Sequence, residues 1–148
     1  MESIRKLEIE REHRQWLSDI LGFYSLSERI EPEELFAGMP SLELLAYPEG
    51  SVIIREGEAA QDLCIIYEGM VSVLRDGKEV AQLTVGAFFG EVGFLMRVPR
   101  TATILAIREC EVFRIRAEHI EGIIREHPSV LDYLQTTAQK RLGSLKEG

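Results

Sequence analysis

The spacing of hydrophobic residues divides the chain into a helical start, a β-rich middle and a helical end. Before Gly22, apolar side chains recur among Glu and Arg at a loosely helical spacing, which predicts a helix over residues 2–21: Ile4, Leu7, Trp16, Leu17, Ile20 and Leu21. Pro32 suits the first turn of a second, short helix, and Gly38 would end it. Residues 1–40 therefore form a predicted N-terminal helical segment.

From Ser41 the pattern changes to short β-prone runs separated by glycine-containing turns. These runs predict strands at 42–47, 52–55, 63–67, 71–74, 79–84, 102–107 and 110–115. Asp76-Gly77 favours a type I′ hairpin, because both central residues of that turn need a positive φ. Roughly eight short strands at this spacing are typical of a sandwich or barrel. We expect a mainly β member of the α+β class, an eight-stranded β-barrel or jelly roll (double-stranded β-helix) flanked by helices at both ends.

The helical period returns after the last strand. Ile120, Ile123 and Ile124 share one helix face, and Pro128 can open a new helix. The apolar stripe of that last helix consists of Leu131, Leu134, Ala138, Leu142 and Leu145. We therefore expect a β core over 41–116 and C-terminal helices over 117–148, all in one domain. The stripe would serve as a lid over the core, as a homodimer seam, or as both.

Composition narrows the class of protein. With 148 residues, 45% of them hydrophobic and 28% charged, the chain suits one globular domain. Its formal net charge of −8 argues against a DNA-reading surface, which needs a basic stripe. No apolar run approaches the roughly 20 residues of a membrane span, and the first twenty residues lack the apolar block of a secretory signal. These features predict a cytoplasmic protein with two reduced core thiols, Cys64 and Cys110.

Residues 86–103 interrupt the strands and contain the candidate chemistry. Gly90 permits a sharp turn, and a single helical turn from Glu91 would direct unpaired N–H groups outward, where they attract phosphate. Arg100, stiffened by Pro99, can donate two hydrogen bonds to the same anion. A carboxylate beside an anion site suits a sugar hydroxyl. The combination predicts a ribose phosphate ligand.

The order Gly90-Glu91, then Pro99-Arg100-Thr101-Ala102-Thr103, resembles the phosphate-binding cassette of cyclic nucleotide-binding domains. The resemblance extends over about residues 41–145, through the glycine turns, the Asp76-Gly77 hairpin and the Pro128 helix, to regulators of the catabolite-activator and protein kinase regulatory subunit type.

The resemblance implies a role for each cassette residue. Arg100 would bind the cyclic phosphate of cAMP or cGMP, Glu91 the ribose 2′-hydroxyl, and the C-terminal helix would close over the base. The full implied ligand-binding set is Phe89, Gly90, Glu91, Val92, Gly93, Arg100, Thr101, Ala102, Arg141, Leu142 and Leu145. Many family members have Ala where this chain has Gly93, a change that loosens a helix by about 1 kcal/mol. Thr101 does not discriminate between the two nucleotides.

Other classes of function compete with this interpretation. A cupin-like metalloenzyme shares the fold but needs several inward histidines, whereas His13, His119 and His127 all lie outside the predicted strands. Haem and iron–sulfur sensors lack their ligands here. Neither a catalytic constellation nor a metal site is evident, so we expect a non-enzymatic sensor without a cofactor, acting on an unidentified effector protein. The alternative is a degenerate domain that serves as a protein-interaction scaffold.

Overall fold

The computed structural model describes residues 3–25, 30–37, 41–59, 62–90 and 99–147, with side chains up to residue 141. Its strands are β1 (Arg5–Leu7), β2 (Glu43–Tyr47), β3 (Val52–Ile54), β4 (Asp62–Glu68), β5 (Met70–Arg75), β6 (Lys78–Thr84), β7 (Phe88–Phe89), β8 (Thr103–Ala106) and β9 (Cys110–Arg116). Its helices are α1 (Arg11–Tyr24), α2 (Pro32–Ala37), α3 (Ala117–Glu126) and α4 (Pro128–Glu147).

The strands form two antiparallel sheets in the order β1-β2-β9-β4-β7 and β3-β8-β5-β6. This arrangement confirms the predicted α+β jelly roll, but the two sheets are not closed into a barrel. The described residues form nine strands rather than eight, and helix is as extensive as strand, so the fold is not mainly β. The hairpin at Asp76-Gly77 is also confirmed: their φ values are 51° and 79°, and Arg75 pairs with Lys78. A strand not predicted from the sequence, β7, leads directly to Gly90.

The N-terminal segment differs from the prediction. The first helix begins at Arg11 rather than near residue 2, and it continues through Gly22 to Tyr24. The preceding residues form β1, whose Arg5 and Leu7 pair with Ala46 and Leu44 of β2. The backbone of β2 supplies hydrogen-bond partners to residues 5–7, and no local sequence pattern reveals such distant partners. Residues 5–7 are therefore extended rather than helical.

Two cores lie on opposite faces of the five-stranded sheet. Between the sheets, one core is formed by alternate strand residues that include Cys64, Ile66, Phe89 and Val112. The other core joins the opposite face of that sheet to α1, α3 and α4. Because successive strand residues point to opposite faces, Phe89 of β7 enters the first core, whereas Phe88 packs against the helices. The two free cysteines, Cys64 and Cys110, are buried as predicted.

The C-terminal helices follow the predicted pattern except at one position of the apolar stripe. Pro128 opens α4, and up to residue 141 the fully buried side chains of this helix are Val130, Leu134 and Ala138, while Leu131 is only half-buried. The side chains of Leu142 and Leu145 lie outside the described residues. No helix in the described part of the chain is long and apolar enough to span a membrane.

Candidate functional site

Arg100 lies where the chain enters the four-stranded sheet, just before β8. Its backbone is held on both sides by the turn between β3 and β4, because its N–H donates to the carbonyl of Glu58 at 2.7 Å and its carbonyl accepts from Gly57 at 2.8 Å. Its side chain is only 5% exposed. The backbone therefore fixes the point from which this guanidinium extends into the end of the inter-sheet core.

The guanidinium of Arg100 is directed at the start of the predicted cassette. Nη1 donates to the carbonyl of Gly90 at 2.8 Å and to that of Asp62 at 3.2 Å, while Nη2 donates to Asp62 Oδ1 at 2.7 Å. Gly90 has a φ of 90°, and a Cβ at this position would lie 2.5 Å from Nη1. The glycine expected for a sharp turn is thus also required for this close approach.

Asp62 connects Arg100 to a second guanidinium. Its Oδ2 accepts from Arg114 Nη2 at 2.7 Å and from Nε at 3.1 Å, and Arg114 Nη1 donates to the hydroxyl of Tyr47 at 3.1 Å. We refer to Tyr47, Asp62, Arg100 and Arg114 as the arginine–aspartate cluster. It contains two cations and one anion, so an anion would complete its charge balance.

Asp62, Arg114 and Tyr47 lie outside the cassette motif and were not predicted as site residues. The sequence signal that could have revealed Arg114 is the alternation of side chains along its strand. Arg114 alternates with Phe113 and Ile115, so it lies on the same side of β9 as the inter-sheet core residue Val112. A charged residue at an inward position needs a partner or a ligand.

Burial and charge set the protonation states around the cluster. Burial disfavours the charged guanidinium of Arg114, but Cys64, Asp62 and Tyr47 together raise its pKa above the ordinary value. Burial, followed by the charge of Asp62, raises the pKa of the Cys64 thiol to about 12. Burial likewise raises the pKa of Tyr47, against the effect of Arg114. At neutral pH Arg114 is therefore a cation between a neutral thiol and a neutral phenol.

The remaining predicted cassette residues divide into three groups. Phe89 is buried in the inter-sheet core, opposite Cys64. Thr101 is half-buried and Ala102 is buried, both immediately after Arg100. Glu91, Val92 and Gly93 lie outside the described residues, so the ribose contact and the helical-turn N–H groups stay predictions.

Arg141 of α4, a predicted base contact, lies against β7. Its Nη1 donates to the carbonyl of Phe88 at 2.7 Å, and its guanidinium carbon is 4.9 Å from the centre of the Phe88 ring. Phe88 is two residues before Gly90, whose carbonyl binds Arg100. The last helix and the phosphate-binding candidate therefore contact opposite ends of one short segment.

The described residues do not form a metal site. Within the described ranges, no group of three or more His, Cys, Asp or Glu side chains is arranged to hold a metal ion. His13 lies in α1 and His119 in α3, on the helical layer rather than in the inter-sheet core. The arginine–aspartate cluster is thus the strongest candidate site among the described residues.

Comparison with known proteins identifies the family. The cyclic nucleotide-binding domain model matches residues 44–127, more than half of the chain. The chain is 30% identical over 123 residues to the human potassium/sodium hyperpolarization-activated cyclic nucleotide-gated channel 3. That alignment covers 83% of this chain but 16% of the channel. The match is thus to one domain of a much longer protein.

Solved structures give the same result. A cyclic nucleotide-binding domain from Methylobacillus flagellatus superimposes with a TM-score of 0.76 over 97% of this chain and 86% of its own, at 18% identity, which concerns the fold alone. The Thermus thermophilus catabolite activator protein matches with a TM-score of 0.68 at 27% identity, over 82% of this chain and 60% of its own. A regulatory subunit of a cAMP-independent protein kinase A from Trypanosoma brucei matches with a TM-score of 0.69 at 28% identity, over 86% and 48%.

These matches, together with the two facing antiparallel sheets, place the protein in the class of jelly-roll domains flanked by helices. The chain belongs to the cyclic nucleotide-binding domain family, which confirms the resemblance inferred from residues 90–103.

Proposed function

We propose that this domain binds a cyclic nucleoside monophosphate, cAMP or cGMP, and acts as a sensor without catalysing a reaction. The observation that supports this most directly is the buried guanidinium of Arg100, which contacts Gly90 at the start of the cassette and shares Asp62 with a second cation. Two guanidinium groups that share one carboxylate in a largely buried cluster leave an excess of positive charge, which favours an anionic ligand. The chain as a whole is negative, with a formal net charge of −8, so this local excess of positive charge stands out from the rest of the molecule.

The proposed contacts follow the family pattern at the positions that match it. Arg100 binds the cyclic phosphate, helped by the N–H groups of Gly90, Val92 and Gly93, and Glu91 accepts a hydrogen bond from the ribose 2′-hydroxyl. Phe89, Thr101 and Ala102 line this part of the site. Arg141, Leu142 and Leu145 of the last helix contact the base.

Ligand binding would be transmitted through α4. The last helix is attached to β7 by Arg141, and β7 leads into the cassette that surrounds the phosphate. A ligand changes the position of this helix only if it binds one arrangement more tightly than another. The proposed output is a movement of α4 that an effector protein, or a second copy of the chain, detects.

The direct test is calorimetric titration of cAMP and cGMP into the protein, with AMP as the control ligand that lacks the cyclic diester. We expect binding of at least one cyclic nucleotide and a weaker response to AMP. Charge-assisted hydrogen bonds contribute roughly 1.5–3 kcal/mol each, so Arg100→Ala should weaken binding about a hundredfold or more. Arg116→Ala, in which an arginine side chain 65% exposed is removed, is the matched control and should leave affinity unchanged.

Because Arg100 is also a buried partner of Asp62, Arg100→Ala could unfold the domain. Arg100→Lys retains the charge without the two-pronged geometry, and its circular dichroism and melting profile show whether the fold persists. Unchanged affinity in a folded Arg100 variant would contradict the assignment of the phosphate site.

A second candidate function is a protein-interaction scaffold that binds no nucleotide. It is favoured by the similarity to the regulatory subunit of a cAMP-independent kinase, since a related fold then operates without that ligand. Thermal denaturation in the presence of cAMP and of cGMP separates the two candidates. A raised melting temperature supports the sensor, and no change with either nucleotide supports the scaffold.

A further inference from the structure

Asp62 is shared by two arginines whose surroundings differ. Arg100, which lies just before β8, donates to Oδ1, and Arg114 of β9 donates to Oδ2. The Arg114 side chain is 28% exposed and that of Arg100 is 5% exposed. Each carboxylate oxygen thus has its own cation, and neither arginine blocks the other.

We propose that Arg114 is a positioning residue for the cyclic nucleotide: it holds the Asp62 carboxylate so that Arg100 can bind the phosphate. This inference rests on the proposed function and assigns the residue that controls its phosphate contact. Arg114 itself touches Asp62 and Tyr47, not the ligand.

A bound phosphate and Asp62 would compete for Arg100. Its Nη2 donates to Asp62 Oδ1 at 2.7 Å, so a phosphate oxygen that binds this nitrogen must share or displace the carboxylate. A displaced carboxylate at 17% exposure would be left largely buried beside a like-charged phosphate. That arrangement is unfavourable unless a second cation remains on Asp62.

Arg114 supplies that second cation. Its Nε and Nη2 both donate to Oδ2, and the Tyr47 hydroxyl accepts from Nη1, so the guanidinium is anchored at both ends. These bonds persist when Oδ1 leaves Arg100, because they involve the other oxygen. Without Arg114, Arg100 would be the one cation paired with Asp62 among the described residues. The ion pair between Asp62 and Arg100 would then be stronger, and the phosphate would have to compete against it.

A merely structural role predicts a different outcome. If Arg114 only stabilised the fold, its removal would change affinity by the same factor whether or not Asp62 carried a charge. If it acts through Asp62, its effect must depend on that charge. A double-mutant cycle measures this dependence directly.

The experiment compares the wild type, Arg114→Met, Asp62→Asn and the double variant by calorimetric titration with the cyclic nucleotide that the wild type binds. We expect Arg114→Met to weaken binding about tenfold or more with Asp62 present, and by less than about threefold in the Asp62→Asn background. Arg114→Lys, which keeps the charge but has a single nitrogen, should recover part of the loss. Arg116→Met, in the same strand with an exposed side chain, is the control and should bind as the wild type does.

Each outcome decides the proposal. An equal loss in both backgrounds, or no loss on removing Arg114, overturns the role of Arg114 while leaving the nucleotide-binding proposal intact. A wild type that binds neither cAMP nor cGMP overturns both. If Arg114→Met fails to fold, Tyr47→Phe removes one anchor of the guanidinium, and an unchanged affinity in that variant and in Arg114→Lys overturns the proposal.

Discussion

At the scale of single residues, the site depends on one glycine as much as on its charged side chains. Gly90 combines a φ of 90° with a hypothetical Cβ only 2.5 Å from Arg100 Nη1. Gly50 has a similar φ of 84°, but nothing lies within 4 Å of its hypothetical Cβ. Comparing alanine variants at Gly90 and Gly50 therefore separates the effect of backbone strain from the effect of displacing the Arg100 side chain.

Gly90→Ala is expected to weaken cyclic nucleotide binding about tenfold and to lower stability, because the new methyl group displaces the Arg100 guanidinium in addition to straining the backbone. Gly50→Ala should lower stability by about 1–2 kcal/mol from strain alone and leave affinity within about twofold. Calorimetric titration and urea denaturation of both variants check this. Equal affinities for the two variants would mean that the approach of Gly90 to Arg100 does not matter for binding.

At the scale of elements, β7 connects the helical layer to the cassette although it has only two residues. Phe88 packs with Tyr24 and Tyr133 on the helix side, with ring centres 5.3 Å and 5.8 Å away. Phe89 fills the inter-sheet core. Arg141 adds a hydrogen bond to the backbone of β7 and a contact with the Phe88 ring, so α4 is attached to the strand that precedes Gly90.

Arg141→Met should therefore loosen the end of α4. A charge-assisted hydrogen bond and a cation–π contact are lost, and amide hydrogen exchange around residue 138 is expected to accelerate about tenfold, which corresponds to about 1.4 kcal/mol. Lys140→Met, at an exposed position of the same turn, is the control and should exchange as the wild type does. Unaltered exchange in Arg141→Met would show that the apolar face of α4 alone holds the helix.

At the scale of the whole molecule, buried ionisable groups link stability to pH. The clearest is Cys64, fully buried between the sheets, where burial and then Asp62 raise the pKa of the thiol from 9.0 to about 12. The unfolded chain loses this proton near the ordinary value, whereas the folded chain retains it. The stabilisation is therefore complete below pH 9.0 and is lost as the pH rises toward 12.

We expect the free energy of unfolding to fall above pH 9.0, with about 1.4 kcal/mol per pH unit contributed by this one proton. Cys110 contributes with the same sign, because burial also raises the pKa of its thiol. Urea denaturation of the wild type and of Cys64→Ala across this range measures the slope, which should be shallower in the variant. Parallel slopes for the two proteins would contradict the assignment.

Much of this protein could be predicted from local patterns in its sequence. Strand alternation, the Asp76-Gly77 turn and the Pro128 helix start depend on neighbouring residues, and the structure has all three. The order of residues 90–103 identified the family, because the motif is one contiguous segment, and it gave Arg100 as the predicted phosphate contact. The expected helix over residues 2–21 was wrong at its start, since β1 exists only through pairing with β2.

The tertiary structure decided which partners Arg100 has. Asp62 is 38 residues from Arg100 and 52 from Arg114, and Tyr47 is 67 from Arg114. Strand order and register bring these side chains to one end of the inter-sheet core, and no short-range period encodes that meeting. The position of Arg141 on Phe88, 53 residues away, has the same origin. The sequence alone thus determined most of the elements and the family motif, because these patterns are local. Pairing between distant strands decided β1, β7 and the charge network around Arg100.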